Sequence, residues 1–217
     1  MYKRQLTLSV IGGHDPKDST SVPIEVEDIQ QVVEEGISGL RMGLPREFFQ
    51  EGIDGDVRYA LDMAVSFYKS KGFEVREISL PHTDFGIAVY YIVADAEASS
   101  NLARYDGVRY GYRSCQASDI ESLYFLTRGE GFGSEVKRRI MLGTYALSAG
   151  YYEQYYLKAL KVRTLIVQDF KKAFEEVDVI IAPTSPTPAF KIGEKISEPL
   201  NTTGIPLSND QSWNEEI

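Results

Sequence analysis

Arg139 is the residue of this chain whose placement most clearly asks for a chemical partner. In Ser134-Glu135-Val136-Lys137-Arg138-Arg139-Ile140, a helical period of about 100° per residue gathers Val136, Ile140, Gly143 and Leu147 on one face. Arg139 falls inside that face, while Lys137 and Arg138 point elsewhere. A guanidinium on an apolar face needs an anion, because an unpaired charge is costly to desolvate. Its planar fork suits a carboxylate, taken up bidentately. Two readings follow: a ligand carboxylate, or a structural ion pair with an acidic residue elsewhere in the chain. Gly143, one turn on, leaves room for something to approach the backbone.

Other reactive residues are sparse. Thr184 and Ser185 close the apolar run Val177-Asp178-Val179-Ile180-Ile181-Ala182, a strand end of the kind where α/β folds contact ligands. With no base named beside them they read as loop hydroxyls lining a pocket. His14, Asp15 and Asp18 carry metal-binding side chains, but Gly12-Gly13 and Pro16 around them spell a turn. His14 and His82 are the only histidines, both in turn contexts, so a Ser-His-Asp triad is not expected. There is no Gly-x-Ser-x-Gly elbow, phosphate-cradling glycine loop or Cys/His cluster with metal-ligand spacing. The aromatic and basic run 104–113 resembles a base-stacking platform, although its tyrosines are expected to pack under neighbouring helices.

The elements that must position these groups are legible in outline. Leu6 to Gly12 reads as a short strand or a helix end. Residues 40–45 read as a strand closed by Pro45. A helix begins near Asp56 with Val57, Ala60, Leu61, Ala64 and Tyr68 on one stripe and stops at Gly72; residues 73–80 form the next strand, ended by Pro81. Strand, helix and strand in that compass predict a right-handed crossover between parallel neighbours, hence an α/β fold. A helix over about 84–103 follows, with Tyr90, Tyr91 and Glu97 among small residues. Ser118-Asp119-Ile120-Glu121 has the pattern of a capping box. A helix from about Tyr152 to Glu176 is expected to bury Tyr156, Leu160, Val167, Phe170, Phe174 and Val177. Residues 134–190, running from helix to buried strand to proline-locked loop, organise the rest. Asn201 to Ile217 read as a polar tail.

Composition narrows the function classes. A chain of 217 residues suits one large domain or two small ones. The net charge of −9 argues against gripping nucleic acid through a basic face of its own. Cys115 is the single cysteine, so an internal disulfide is impossible and a reducing compartment is expected. No apolar run approaches the ~18 residues of a membrane span, and residues 1–5 lead into no signal-peptide core. A cytoplasmic protein with no membrane partner is the expectation.

Several stretches together carry a resemblance. They are Gly13-His14-Asp15-Pro16-Lys17-Asp18-Ser19-Thr20-Ser21, Arg41-Met42-Gly43-Leu44-Pro45, Ser99-Ser100-Asn101-Leu102-Ala103-Arg104-Tyr105-Asp106-Gly107, Glu130-Gly131-Phe132-Gly133, Glu135 to Gly143, and Pro183 to Gly193. Over about residues 6–200 the chain resembles the second half of the amidase-signature family, and within it the A subunits of aspartyl/glutamyl-tRNA amidotransferases. That resemblance implies an amidase-signature domain over 6–200, with a non-family leader at 1–5 and a divergent polar tail at 201–217. It implies an incomplete, mixed but mostly parallel sheet flanked by helices. In the family a Ser–cis-Ser–Lys triad hydrolyses glutamine, and the ammonia passes to a partner subunit that amidates mischarged Glu-tRNA(Gln) or Asp-tRNA(Asn).

The resemblance makes Arg139 the arginine that grips the glutamine α-carboxylate. It makes Tyr90 a substrate-lining tyrosine, with Tyr91 as the rival register. It implies B and C subunits as partners in a heterotrimer, with mischarged tRNA reached through the complex. ATP and Mg would be used through the partner subunit, and no cofactor would be bound by this chain. The triad Lys and both Ser precede the matching stretch, and the family's acidic contact to the glutamine amino group has no counterpart in Asn201 to Ile217. The chain alone is therefore expected to be inactive and, with sheet edges bare, poorly soluble. The alternatives are part of a stand-alone amide hydrolase, or a non-catalytic scaffold that binds partners.

Overall fold

The computed structural model describes residues 2–25, 31, 39–49 and 52–192. In chain order these hold α1 (Tyr2–Ile11), β1 (Arg41–Pro45), a 3-10 turn (Arg46–Phe49), α2 (Gly55–Ser70), β2 (Glu74–Ile78) and a second 3-10 turn (Pro81–Phe85). Then come α3 (Gly86–Leu102), α4 (Ile120–Gly131), α5 (Ser134–Ala146), a π-helical segment (Tyr152–Leu157), α6 (Lys158–Glu176) and β3 (Val179–Ile180). The stretch Leu6 to Gly12 is thus the end of a helix. The polar tail at 201–217 lies outside the described residues.

The fold is α/β, as the strand–helix–strand pattern predicts. β1 lies between β2 and β3, and both pairings are parallel, Met42 facing Val75 on one side and Val179 on the other. The crossover is well punctuated. Asp54 caps α2 by accepting from the Asp56 amide at 2.9 Å, and Gly72 leaves the helix at φ +84°, a conformation that costs glycine nothing. Gly43 is buried mid-strand, where a Cβ would stand 2.7 Å from Ile78 Cδ1 and 3.0 Å from Val177 Cγ2. Ile78, Leu80, Ala173 and Val177 form the core under β1, with Phe48, Phe170 and Ile180 packed against them. Burying a side chain such as Leu80 or Val177 contributes about 1.5–3 kcal/mol each. Arg41 and Asp178 clamp the entrances of the two strands: the Arg41 amide, Nε and Nη2 all donate to the Asp178 carboxylate, at 2.8, 3.1 and 2.7 Å.

Four expectations are corrected. The inner face of α6 is Ala159, Val162 and Ala173 leading to Val177, while Val167 and Phe174 are 42% and 51% exposed. Of the expected stripe, Val177 is buried and Phe170 packs against the core. The helix is also not one α-helix from Tyr152, because its first six residues are π-wound. The capping box of α4 is built on Asp119, not Ser118: Asp119 Oδ1 accepts from the Ser122 amide at 2.7 Å, and Ser122 Oγ accepts from the Asp119 amide at 3.1 Å. Finally, Tyr105, Tyr110 and Tyr112 are half-exposed rather than tucked under helices. The first two stack edge to face, and Tyr112 donates to Glu130 at 2.6 Å.

Candidate functional site

The site is built where α3 crosses α5. Gly143 on α5 is buried, and a Cβ there would stand 2.5 Å from the Asp95 carbonyl carbon and 2.7 Å from Ser99 Cβ. The group that approaches this glycine is therefore the backbone of α3, not a ligand. A hydrogen bond between Ser99 Oγ and Thr144 Oγ1, 2.8 Å long, fixes the register of the pair. So close a crossing brings Tyr90, Tyr91 and Asp95 of α3 against Glu135, Arg138 and Arg139 of α5.

Arg139 lies on the inner face of α5, as its position in the helical period predicts, and its side chain is 33% exposed. Its Nε donates to Glu135 Oε1 at 2.9 Å, and its guanidinium carbon stands 5.6 Å from the Tyr91 ring centre. Nη1 stands 3.8 Å from Asp95 Oδ1, within ion-pair range but beyond a hydrogen bond. Arg138 holds the other Glu135 oxygen at 2.6 Å. Arg139 thus has an ion-pair partner, on its own helix four residues back. The bond to Glu135, with the Tyr90 phenol and the Asp95 charge behind it, outweighs desolvation and raises the Arg139 pKa. The Arg139 bond likewise lowers Glu135. Tyr90 is 55% exposed, its ring 5.3 Å from that of Tyr91, so both tyrosines sit beside Arg139.

Asp95 is the residue that sequence reasoning missed. It is 4% exposed, and its Oδ1 is buried with no hydrogen-bond partner. Burial raises its pKa, an effect that the Arg139 charge only partly offsets. Glu135 was missed as the partner too, the pair being expected with an acid elsewhere in the chain, although its i, i+4 spacing to Arg139 is a signal that finds it. Asp95 gave no such signal, being one acidic residue in a helix of small side chains.

The remaining candidates lie apart. Thr184 and Ser185 are exposed loop residues, Ser185 Oγ accepting from the Thr187 amide at 3.4 Å. Asp15 and Asp18 spend their carboxylates on the amides of Lys17 and Thr20, as a turn requires. Among the described residues no group of three His, Cys, Asp or Glu could hold a metal ion. His82 Nδ1 stands 3.0 Å from Asp169 Oδ2, which also accepts from the His82 amide. No described helix is long and apolar enough to cross a membrane.

Three cavities lie elsewhere: about 370 Å³ between Ser79 and Lys172, about 610 Å³ between Phe125 and Met141, and about 430 Å³ around Cys115. Neither Arg139 nor Tyr90 lines any of the three. Arg139 sits at the α3–α5 crossing with a third of its side chain exposed.

The sequence model of the Amidase family matches residues 3–212. This chain belongs to the amidase family. It is 60% identical over 196 residues to the A subunit of glutamyl-tRNA(Gln) amidotransferase from Carboxydothermus hydrogenoformans, covering 90% of this chain. It is 58% identical to the protein of that name from Geobacter sulfurreducens, again over 90% of this chain. The chain spans about 40% of the length of these curated relatives. Among solved structures, the A subunit of glutamyl-tRNA(Gln) amidotransferase from Thermotoga maritima matches with a TM-score of 0.63 at 35% identity, over 92% of this chain and 38% of that one. A further amidase structure, 24% identical with a TM-score of 0.53 over 81% of this chain and 32% of its own, shares the fold.

Proposed function

We propose that this chain is the substrate-carboxylate-binding part of the A subunit of a tRNA-dependent amidotransferase, a glutamine-hydrolysing, cytoplasmic enzyme. In this reading Arg139 holds the α-carboxylate of glutamine and Tyr90 lines the substrate beside it. The Ser-Ser-Lys triad comes from residues that this sequence does not contain. Released ammonia passes to a B subunit, paired with a C subunit, which uses ATP and Mg to amidate Glu-tRNA(Gln) or Asp-tRNA(Asn). The amidase-signature domain is taken as residues 6–200.

One observation carries the reading: a half-buried guanidinium at the α3–α5 crossing, flanked by two tyrosines and held through Nε. Among the described residues the Nη groups meet only Asp95, at 3.8 Å, and the Tyr90 phenol, while the Nε edge is held by the half-exposed Glu135, an occupant that a ligand carboxylate can displace. Such a seat binds and orients a substrate; it attacks nothing. Titrating L-glutamine into the 217-residue chain by calorimetry tests this. Arg139→Ala should abolish the heat, and propionamide, which has the amide but no carboxylate, should give none. Binding that survives Arg139→Ala, or ammonia release by the chain alone, overturns the reading.

The exposed apolar wall of α4 and α5, where Phe125 is 79% and Met141 72% exposed, favours a second reading, a scaffold that only binds partners. Capture of B and C subunits without any glutamine binding would select it.

A further inference from the structure

Asp95 is a buried carboxylate that the proposed function leaves unused. Among the described residues nothing hydrogen-bonds its Oδ1. Protein interiors do not ordinarily leave an acidic oxygen bare, because water has been removed and nothing replaces it. Its position is also not adjustable. The carbonyl of the same residue is pressed against Gly143, so the main chain that bears this carboxylate is wedged into α5. What the bare oxygen faces is Arg139 Nη1, at 3.8 Å.

Arg139 does not reach it because its Nε is bonded outward, to Glu135 at 2.9 Å. Glu135 is half-exposed and has a second cation, Arg138, at 2.6 Å. It can therefore release Arg139 without being left unpaired. Among the described residues Asp95 has no second cation within ion-pair range. A guanidinium has two usable sides: an Nε–Nη edge that receives a carboxylate bidentately, and the opposite Nη end. An incoming carboxylate competes with Glu135 for the edge. An inward shift of about 1 Å then brings Nη1 into hydrogen-bond range of Asp95.

We propose that Asp95 is a positioning residue, the fixed inner anchor that takes hold of Arg139 when a ligand carboxylate replaces Glu135 on its outer edge. This rests on the reading of Arg139 as a carboxylate seat. It assigns different work to the two acids: Glu135 is an exchangeable occupant of the site, and Asp95 a permanent part of its wall. The charges acting on Asp95 among the described residues are Arg139, Glu135 and Arg138, all on α5. Tyr90 and Tyr91 lie about one turn before it on α3.

The test uses the full chain, L-glutamine as probe, and two readouts. By calorimetry at neutral pH, Asp95→Asn should weaken glutamine about tenfold, while Glu135→Gln should bind at least as tightly as the unaltered chain. The affinity of the unaltered chain should fall as pH drops through the titration of Asp95, and that of Asp95→Asn should not; a merely structural role would leave the two pH profiles parallel. Asp95→Asn binding as tightly as the parent, or parallel profiles, overturns the anchor while leaving the Arg139 reading intact. In the second readout, nitrogen-detected NMR of the Arg139 guanidinium with acetate present should show slower N–H exchange in the parent than in Asp95→Asn. Equal exchange overturns the anchor. If the parent binds no glutamine yet shows slower exchange, the substrate reading falls and the anchor stands.

Discussion

The α3–α5 crossing makes a sharp demand on one atom. Gly143→Ala would place a methyl carbon 2.5 Å from the Asp95 carbonyl carbon and 2.7 Å from Ser99 Cβ. Carbon atoms rest at about 3.5 Å or more, so the helices must part by about 1 Å. The obstacle is main chain, which no rotamer change can move aside. Overpacking of this kind costs about 1–3 kcal/mol, and the gain from replacing a helical glycine returns about 1 kcal/mol of it. A backbone obstacle belongs at the upper end, giving a net loss of about 2 kcal/mol. For a chain of this size that is a fall in Tm of about 4–8 °C. Gly129→Ala is the matched control: Gly129 lies in α4 with nothing within 4 Å of an added Cβ. It should raise Tm by about 2–4 °C through helix propensity alone. Scanning calorimetry of the two variants beside the parent decides the matter. A Gly143→Ala chain as stable as the parent would mean that the helices are not in main-chain contact, and the geometry assigned to Asp95 and Arg139 would go with it.

Two further tests follow from titrating groups. The hydrogen bonds from Arg41 hold Asp178 down at about 2, from an ordinary 3.8, so its contribution to stability is present above that ordinary value and lost as pH falls through about 2. The Tm gap between the parent and Asp178→Asn should be constant above about pH 4 and close toward pH 2; a gap that persists at pH 2 refutes the clamp. Tyr145, hydrogen-bonded with Tyr151, is pushed up to about 12. Ultraviolet titration should show a late-ionising phenol that moves to lower pH in Tyr151→Phe, and an unchanged titration would dissolve the pairing.

The parts of the fold that could be read from the sequence are those fixed by local chemistry. Asp54 and Gly72 bracket α2, Pro45 closes β1, and Pro81 opens the 3-10 turn just past the end of β2 at Ile78, so the parallel β1–β2 pair followed from residues alone. Arg139 was legible for the same reason, because a helical period is a local property. What could not be read depends on what lies opposite. Which turns of α6 face inward depends on the neighbours each one meets, since Val162 is buried while Val167, the same side chain, is exposed. The role of Gly143 required knowing that α3, rather than a ligand, lies over it. Asp95 became visible only through that same crossing, since its partner is 44 positions away on another helix. Ser118 and Asp119 both suit a helix cap, and the Ser122 hydroxyl accepts from both their amides; only the Asp119 carboxylate, accepting from the Ser122 amide, decided between them.

The π-wound segment Tyr152–Leu157 has a bearing on how this chain can vary. Its wider coil accommodates one more residue per hydrogen-bonded ring than the helix it feeds. Two tyrosine pairs are thereby sent in different directions. Tyr151 and Tyr155 turn back to stack with Tyr145, while Tyr152 and Tyr156 stack together and Tyr156 donates to Glu97 at 3.2 Å. Six π-wound residues turn through about the same angle as five α-helical ones, so the loss of one residue here can be taken up by rewinding to α-helix, whereas the same loss inside α6 would swing what precedes it by about 100°.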